Sequence, residues 1–432
     1  MSATKTVPPV RCARGGASGP AQADTDKAAR AAVAALRAQR MTLGVEEEFL
    51  LVDRVTRAPA GRAPQVIASA TPALGPRVEP EFYTAQIEIH TDPVDDLVDL
   101  RRQLTWLRRE LARAAAAHDC LLVATGTPPI PPEHPLTVTA GRRYQAMATQ
   151  YAHVLGARDQ VVSGCHVHVG VKSRAEALGI ANRLGPWLPV LQAIAANSPY
   201  DRGRDSAHAS WRAVEHARWP TVGPAPVLDE AAYERLAEGL VRDGLLLDRR
   251  MIYWYARPSE HVPTLEIRVA DTNADLDTVI LIAALVRGLA ATVRTDMADH
   301  RPAPFPQPAR LRAAHRLAAI DGLAGEGLDP CSAVRRPAWA LVDRLRERIA
   351  PALDRHGDLD RVDALLESLR HTGGGAACQR HAFGQHHRLT DIVDDLARTT
   401  TGTADRCRPN RRWPRSPTTE SPASPSGSPT TT

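Results

Sequence analysis

The sequence predicts an α+β fold: an antiparallel sheet backed by helices. Three observations predict it. Several short segments alternate apolar and polar residues with the period of two that belongs to a strand. Longer segments between them repeat apolar residues at helical spacing. The two kinds are mixed without strict β–α–β order and without an internal repeat, which disfavours a doubly wound parallel sheet.

The strand-like segments are 43–52, 85–91, 120–125, 161–171 and 264–270. Helical patterns fall at 95–117, 174–197, 229–241, 275–298, 310–320, 338–354, 360–370 and 388–399. The chain of 432 residues is 43% hydrophobic but only 4% aromatic, so its core must be built from Val, Leu, Ile and Ala. Residues 1–39 are rich in Ala, Gly and Pro, and 401–432 end in Ser/Thr/Pro; both read as disordered, with a loose helix at 26–40. Residues 40–300 read as the main domain. Residues 301–400, rich in Arg and Leu, read as its helical C-terminal part.

Charge and composition exclude several functions. The formal charge is +5, but the basic excess lies in the two tails, which is not a nucleic-acid-binding profile. The six Cys show no CxxC pair, so free thiols in a reducing cytosol are expected. No signal-peptide h-region opens the chain. The apolar run "TVILIAALVRGLAATV" contains Arg287 and reads as too short to span a bilayer. Lys occurs only at 5, 27 and 172, so neither a Walker P-loop nor a Schiff-base lysine is available where chemistry needs one.

Alternation sorts the strand residues into faces. Glu46 and Glu48 share one face, with Glu47 on the other. Gln86, Glu88 and His90 share a face against Ile87 and Ile89; His166 and His168 against Val167 and Val169; Glu266 and Arg268 against Ile267 and Val269. A solvated sheet face is the alternative reading. Such a face would carry Lys, Thr, Ser and Asn, whereas each of these carries Glu, His or Arg. Carboxylates with His suit Mg²⁺ or Mn²⁺, and Mg²⁺ commonly bridges carboxylates to substrate phosphates. The pattern points to ATP–Mg²⁺ chemistry without a P-loop. Cys165, beside His166, falls on the apolar face and reads as a buried structural residue. Glu47 is expected to meet an Arg or solvent, and Glu47→Gln to keep most activity.

Six segments in order, "TLGVEEEFLLVD", "QIEIHTDP", "SGCHVHVGV", "ANSPYDRG", "YWYARPS" and "PTLEIRVADT", resemble the bacterial carboxylate–amine ligases, the type 2 glutamate–cysteine ligase family. The resemblance spans 42–300 and continues more weakly to about 400. It implies a glutamine synthetase-like catalytic fold: a curved, mainly antiparallel sheet of about six strands, with helices outside and the active site inside. It implies ATP-dependent joining of the glutamate γ-carboxyl to the cysteine amine through an acyl phosphate, in the cytoplasm. By position, the resemblance places Glu46, Glu48, Glu88, His166 and Glu266 on a metal site for Mg²⁺ or Mn²⁺, and Arg268 on the phosphate side. Arg257 and His168 become candidates for contacts to ATP or substrate, with weaker support for Arg143 and Tyr144 in the amino-acid pocket and Arg380 on a phosphate. His381, His386 and His387 read as a polar loop before a helix. Small-molecule substrates (glutamate, and cysteine or another amine) are the implied partners, with no nucleic acid or membrane; a homodimer is compatible. Two alternatives remain open: a ligase for other amino acids or amines in secondary metabolism, and a zinc amidohydrolase, for which "HVH" on a strand is also an opening motif.

Overall fold

The computed structural model describes residues 41–155 and 161–403. The disordered tail expected at 401–432, apart from residues 401–403, and everything before 41, including the helix expected at 26–40, lie outside the described residues.

One sheet organises the chain. Its strands are β1 (Leu43–Asp53), β2 (Val78–Pro80), β3 (Gln86–His90), β4 (Cys120–Val123), β5 (Gly164–Gly170), β8 (Ala256–Pro258) and β9 (Thr264–Asp271). The order is β2-β3-β1-β5-β9-β8, with β4 paired to the far end of β1, and every pairing is antiparallel. Seven strands thus form, where about six were expected. The two added at the edges, β2 and β8, have three residues each and end in proline, which removes a ladder donor and blunts an edge. These were too short for an alternation signal. A smaller hairpin, β6 (Tyr200–Asp201) and β7 (Arg204–Asp205), lies in the loop after β5 and its helices.

β5 and β9 slip register between Cys165 and Val167, so β9 places an extra residue opposite His166. A bulge of this kind bends and twists the sheet locally.

Helices cover the apolar face. α1 (Ala63–Leu74) and α2 (Leu97–Ala116) pack on β1, β3 and β4. α5 (Arg174–Leu184), α6 (Leu188–Ala195) and α9 (Leu276–Ala298) cover β5 and β9. The single helix expected at 174–197 is two, because Gly185 and Pro186 interrupt it. The remaining helices of the first part are α3 (Arg142–Gln150), α4 (Ala152–Leu155), α7 (Trp211–His216) and α8 (Glu230–Arg242). Asp96 caps α2 by accepting from Val98 N and Asp99 N, and Asp275 caps α9 in the same way.

α9 corrects one argument from length. Its 23 residues are long and apolar enough to cross a membrane by composition, yet 89% of the most apolar 18-residue stretch is buried in the protein interior. The buried Arg287 pairs there with Asp358 and donates to the Asp95 carbonyl.

Beyond residue 300 lie α10 (Pro308–Asp321), α11 (Ala338–His356), α12 (Leu359–Thr372), α13 (Gly375–His386) and α14 (Leu389–Thr400). A hairpin, β10 (Glu326–Asp329) with β11 (Val334–Pro337), interrupts them, so this part is not purely helical. The stretch 375–386, read as loop, is helix α13; the preceding glycines only lead into it. These helices share the core with the sheet: Leu345, Ile349 and Val362 pack in the same cluster as Val167 and Leu285.

Glu47 is the exception on the apolar face. It is 0% exposed, between Cys165 and Ile89 in the ladder. Arg108 of α2, also buried, meets it with both Nε (2.9 Å) and Nη2 (2.6 Å). The same guanidinium donates to the Asn273 and Ala274 carbonyls at 2.7 Å each. The alternation is as expected, but the tolerance expected of Glu47→Gln does not follow. Removing one partner of a buried pair costs about 3–5 kcal/mol. Glu47→Gln is therefore expected to unfold at clearly lower denaturant than the wild type, whatever its activity, as read by urea titration.

His315 of α10 is buried against the Tyr255 ring and faces Gln192 Oε1 at 2.6 Å from Nδ1. Burial pushes its pKa down to about 3. Above about pH 6.5 the ring is neutral in both folded and unfolded chains. As pH falls below that value, the unfolded chain binds a proton that the folded one refuses. Stability then drops by about 1.4 kcal/mol per pH unit until the folded value is reached. His315→Gln should flatten the pH dependence of the unfolding free energy between pH 4.5 and 6 by about one proton.

Candidate active site

The register brings the polar face together. In the ladder Glu46 lies between His166 and His90, Glu48 opposite Glu88, and Glu266 between His168 and Arg257. Glu46 Oε2 stands 3.2 Å from His166 Nδ1, Glu48 Oε1 3.6 Å from His166 Nε2, and Glu266 Oε1 3.9 Å from His166 Nδ1. Glu46, His166 and Glu266 each offer a donor atom within 4.8 Å of the others. His166 is buried, and its Nε2 has no hydrogen-bond partner among the described residues. A buried ring nitrogen without a partner, ringed by carboxylates, fits a divalent cation.

Glu48 and Glu88 lie on the same face, outside that tight trio. Glu48 accepts from the Gly164 amide. Glu81, in the turn between β2 and β3, joins them; alternation did not flag it, because it sits outside any strand long enough to show a period. Its pKa is pushed up to about 7, first by burial and then by the charge of Glu48. Glu88 is held well above the usual carboxylate range by burial, then by Glu46, Glu81 and Glu48. On this side the carboxylates outnumber the cations near them. Across the site the balance reverses. Burial would raise Glu266, but the charges of Arg257 and Arg268 hold it far below the usual range. Burial also opposes ionisation of Glu46, and the hydrogen bonds to His166 and His168 overcome it.

The expected site residues do not all play equal parts. His168 stands 3.2 Å from Glu46 Oε1 and binds Thr264 Oγ1 through Nδ1 at 2.8 Å, so it orients Glu46. Arg257 spends its donors on Glu266 (2.8 and 3.2 Å) and on the Arg250 and Ile252 carbonyls (2.7 and 2.6 Å). It holds the carboxylate in place and has little left for a substrate. Arg268 contacts Glu266 through Nη1, stacks on the Tyr253 ring at 5.4 Å, and keeps Nε without a partner among the described residues. Gln86 donates to the Val162 carbonyl and Ser163 Oγ, and His90 meets the Pro76 carbonyl at the rim. Arg143 pairs with Asp248, while Tyr144 donates to the Pro80 carbonyl beside Glu81 and Glu88. Arg380 is bound to Asp205 and the His208 carbonyl, which leaves it few donors for the phosphate contact considered from the sequence. Cys165 is buried in the core with Val167, as alternation required.

Arg212 was missed. It lies in α7, where no pattern marked it. Its side chain is 4% exposed, its Nε has no partner among the described residues, and the nearest carboxylate, Asp271, is 3.9 Å away. It lies against Gly164, whose amide holds Glu48. Burial, then the charges of Arg212 and Arg268, hold the pKa of His216 well below its usual value.

Solved structures share the architecture. A glutamate–cysteine ligase of Francisella tularensis, in complex with AMP, superposes with a TM-score of 0.64 at 13% identity, covering 84% of this chain and 89% of that one. A bifunctional glutathione synthetase from Pasteurella multocida gives 0.63 at 15%, over 87% of this chain and 54% of that one. The fold is glutamine synthetase-like, and the protein is a ligase that forms carbon–nitrogen bonds. It belongs to glutamate–cysteine ligase family 2, whose model matches residues 42–391. Proteins named "Putative glutamate--cysteine ligase 2" of Salinispora arenicola and "Putative glutamate--cysteine ligase 2-1" of Saccharopolyspora erythraea are 45% and 42% identical. They cover 83% and 86% of this chain, and 95% and 98% of their own.

The trio of Glu46, His166 and Glu266 makes a metal-binding prediction. Mn²⁺ titration followed by electron paramagnetic resonance should show binding by the wild type, weakened at least about tenfold in Glu46→Gln and Glu266→Gln, a loss of about 1.4 kcal/mol or more. Unchanged Mn²⁺ binding in both variants would refute the assignment.

Proposed function

We propose that the protein joins the γ-carboxyl of glutamate to the amine of cysteine, using ATP. A carboxylate oxygen of glutamate attacks the γ-phosphorus and ADP leaves. The amine then attacks the acyl carbon, loses a proton, and phosphate leaves. Both steps are governed by positioning and by charge, since the enzyme has little covalent chemistry to supply.

The observation that carries this reading is the meeting of carboxylates, a histidine and arginines on one sheet face in a chain of this family. Glu46, His166 and Glu266 come together there, with Glu48, Glu81 and Glu88 near them. Arg268, paired with Glu266, and Arg212 lie beside them, each buried with an Nε that has no partner among the described residues. Mg²⁺ or Mn²⁺, when bound by the carboxylates and His166, supplies charge neutralisation for the transferring phosphoryl group. Arg268 and Arg212 offer guanidinium donors to anionic groups of the substrates. Arg257 and His168 fix Glu266 and Glu46, so that the donor atoms need not reorganise when the reaction proceeds. His168 supports that task, with Nδ1 on Thr264 Oγ1 and Nε2 3.2 Å from Glu46 Oε1.

An ADP-release screen of amino-acid pairs with Mg²⁺ or Mn²⁺ tests the reading. ADP should appear with glutamate and cysteine together, with γ-glutamylcysteine as product. Turnover only with another acid or amine would keep the ligase chemistry and replace the substrates. Turnover without ATP would overturn the proposal.

A further inference from the structure

The segment from Asn197 to Arg212 reaches the site from the side, and most of what holds it lies outside the polar face. Asp271, the last residue of β9, is 1% exposed and accepts three hydrogen bonds from this segment. The donors are Asn197 N at 2.8 Å, Ser198 Oγ at 2.7 Å and Ser210 Oγ at 2.8 Å. Arg212 N donates in turn to Ser198 Oγ at 3.1 Å, and Ser210 caps α7. The Asp271 carboxylate stands 3.9 Å from Arg212 Nη1, beyond hydrogen-bond distance. It therefore fixes the position of the charge without consuming its donors.

Space around the guanidinium is also defined. A Cβ on Gly164 would fall 2.4 Å from Arg212 Nη2 and 3.0 Å from Cζ, so only glycine lets the group lie there. A Cβ on Gly126 would fall 2.9 Å from both Asp271 Cγ and Ser198 Oγ, so the carboxylate and its serine are packed as closely.

The other anchors come from beyond residue 300. Gln379 of α13, buried, donates through Nε2 to Asn197 O at 2.8 Å and Asn197 Oδ1 at 2.9 Å. Its neighbour Arg380 binds Asp205 and the His208 carbonyl. The Ala319 carbonyl of α10 accepts from Ala209 N and Ser210 N at 2.9 Å each. A Cβ on Gly375, at the start of α13, would fall 2.2 Å from Asn197 Oδ1, so α13 sits directly against this segment.

We propose that Asp271 and Gln379 are positioning residues that hold Arg212 to take an anionic group of a substrate, a carboxylate or a phosphate. The C-terminal part thereby completes the active site. This rests on the ligase reading above.

The test uses the full chain with ATP, glutamate and cysteine, varying each in turn. Arg212→Ala should raise KM for one substrate by about tenfold or more, the scale of one lost charge-assisted contact, with a smaller effect on kcat. A rise for ATP identifies a phosphate as the anion, and a rise for an amino acid identifies a carboxylate. Asp271→Asn, Ser210→Ala and Gln379→Ala should raise the same KM and leave the others within about twofold. Combined with Arg212→Ala they should add almost nothing, because coupled residues are not additive. Should Asp271→Asn not fold, Ser210→Ala carries the same test without removing the charge. Equal losses for every substrate, or effects that multiply with Arg212→Ala, would overturn the inference. If the wild type releases no ADP with any pair, the ligase reading fails instead. Calorimetric binding of ATP and of glutamate to the same variants then decides the role of Asp271 and Gln379.

Discussion

The buried pair of Glu47 and Arg108 is the constraint on which the rest of the structure depends. β1 must carry Glu46 and Glu48 on its inner face, and alternation then places Glu47 inside the apolar layer. An isolated carboxylate there would be prohibitive. Arg108 offsets it with two donors and spends two more on the Asn273 and Ala274 carbonyls. One guanidinium thus fixes α2 to the centre of β1 and to the turn that follows β9. That turn leads directly into α9, the central core helix. The strand that bears the metal candidates, and the junction after the strand that bears Glu266 and Arg268, share a single buried fastening.

The inner face shows why such fastening is needed. Glu81 is raised toward neutrality by burial and then by Glu48, and Glu88 by burial and then by Glu46, while Glu266 is driven the other way by two arginines. Like charges held this close are unfavourable in the folded state, and a floppy sheet would relieve them by moving apart. The seven-stranded ladder, the bulge opposite His166 and the side chains of Arg257 and His168 prevent that. Strain of this kind collects at functional sites and persists only where the surrounding structure over-determines it.

Strand periodicity made much of this legible. Period-two alternation identified β1, β3, β5 and β9 and the inward residues Glu46, Glu48, Glu88, His166, Glu266 and Arg268, because each strand is long enough to show a period. It also put Cys165 and Glu47 on the correct face. Alternation cannot see residues outside strands, which is why Glu81 in a turn and Arg212 in a six-residue helix escaped it. Nor can it tell a solvated face from a buried one, so Glu47 was judged mild when its environment makes it structural. The edge strands β2 and β8 and helix α13 were hidden for a local reason: three residues show no period, and a glycine-led start weakens helix propensity.

The C-terminal part changes meaning for the same reason. Read from composition, it is the Arg- and Leu-rich helical C-terminal part of the domain. Its contacts give that part a task, because its helices complete the hydrophobic cluster behind α9 and its polar side chains reach the loop that delivers Arg212. A loop of that length cannot hold a buried cation in one place by its own backbone, since each residue kept in a single conformation costs about 1–2 kcal/mol. Fixing it requires partners from several elements at once, and β9, α10 and α13 supply them. The sheet can place its own carboxylates through register alone. The arginine that faces them needs a second scaffold, and residues beyond 300 are that scaffold.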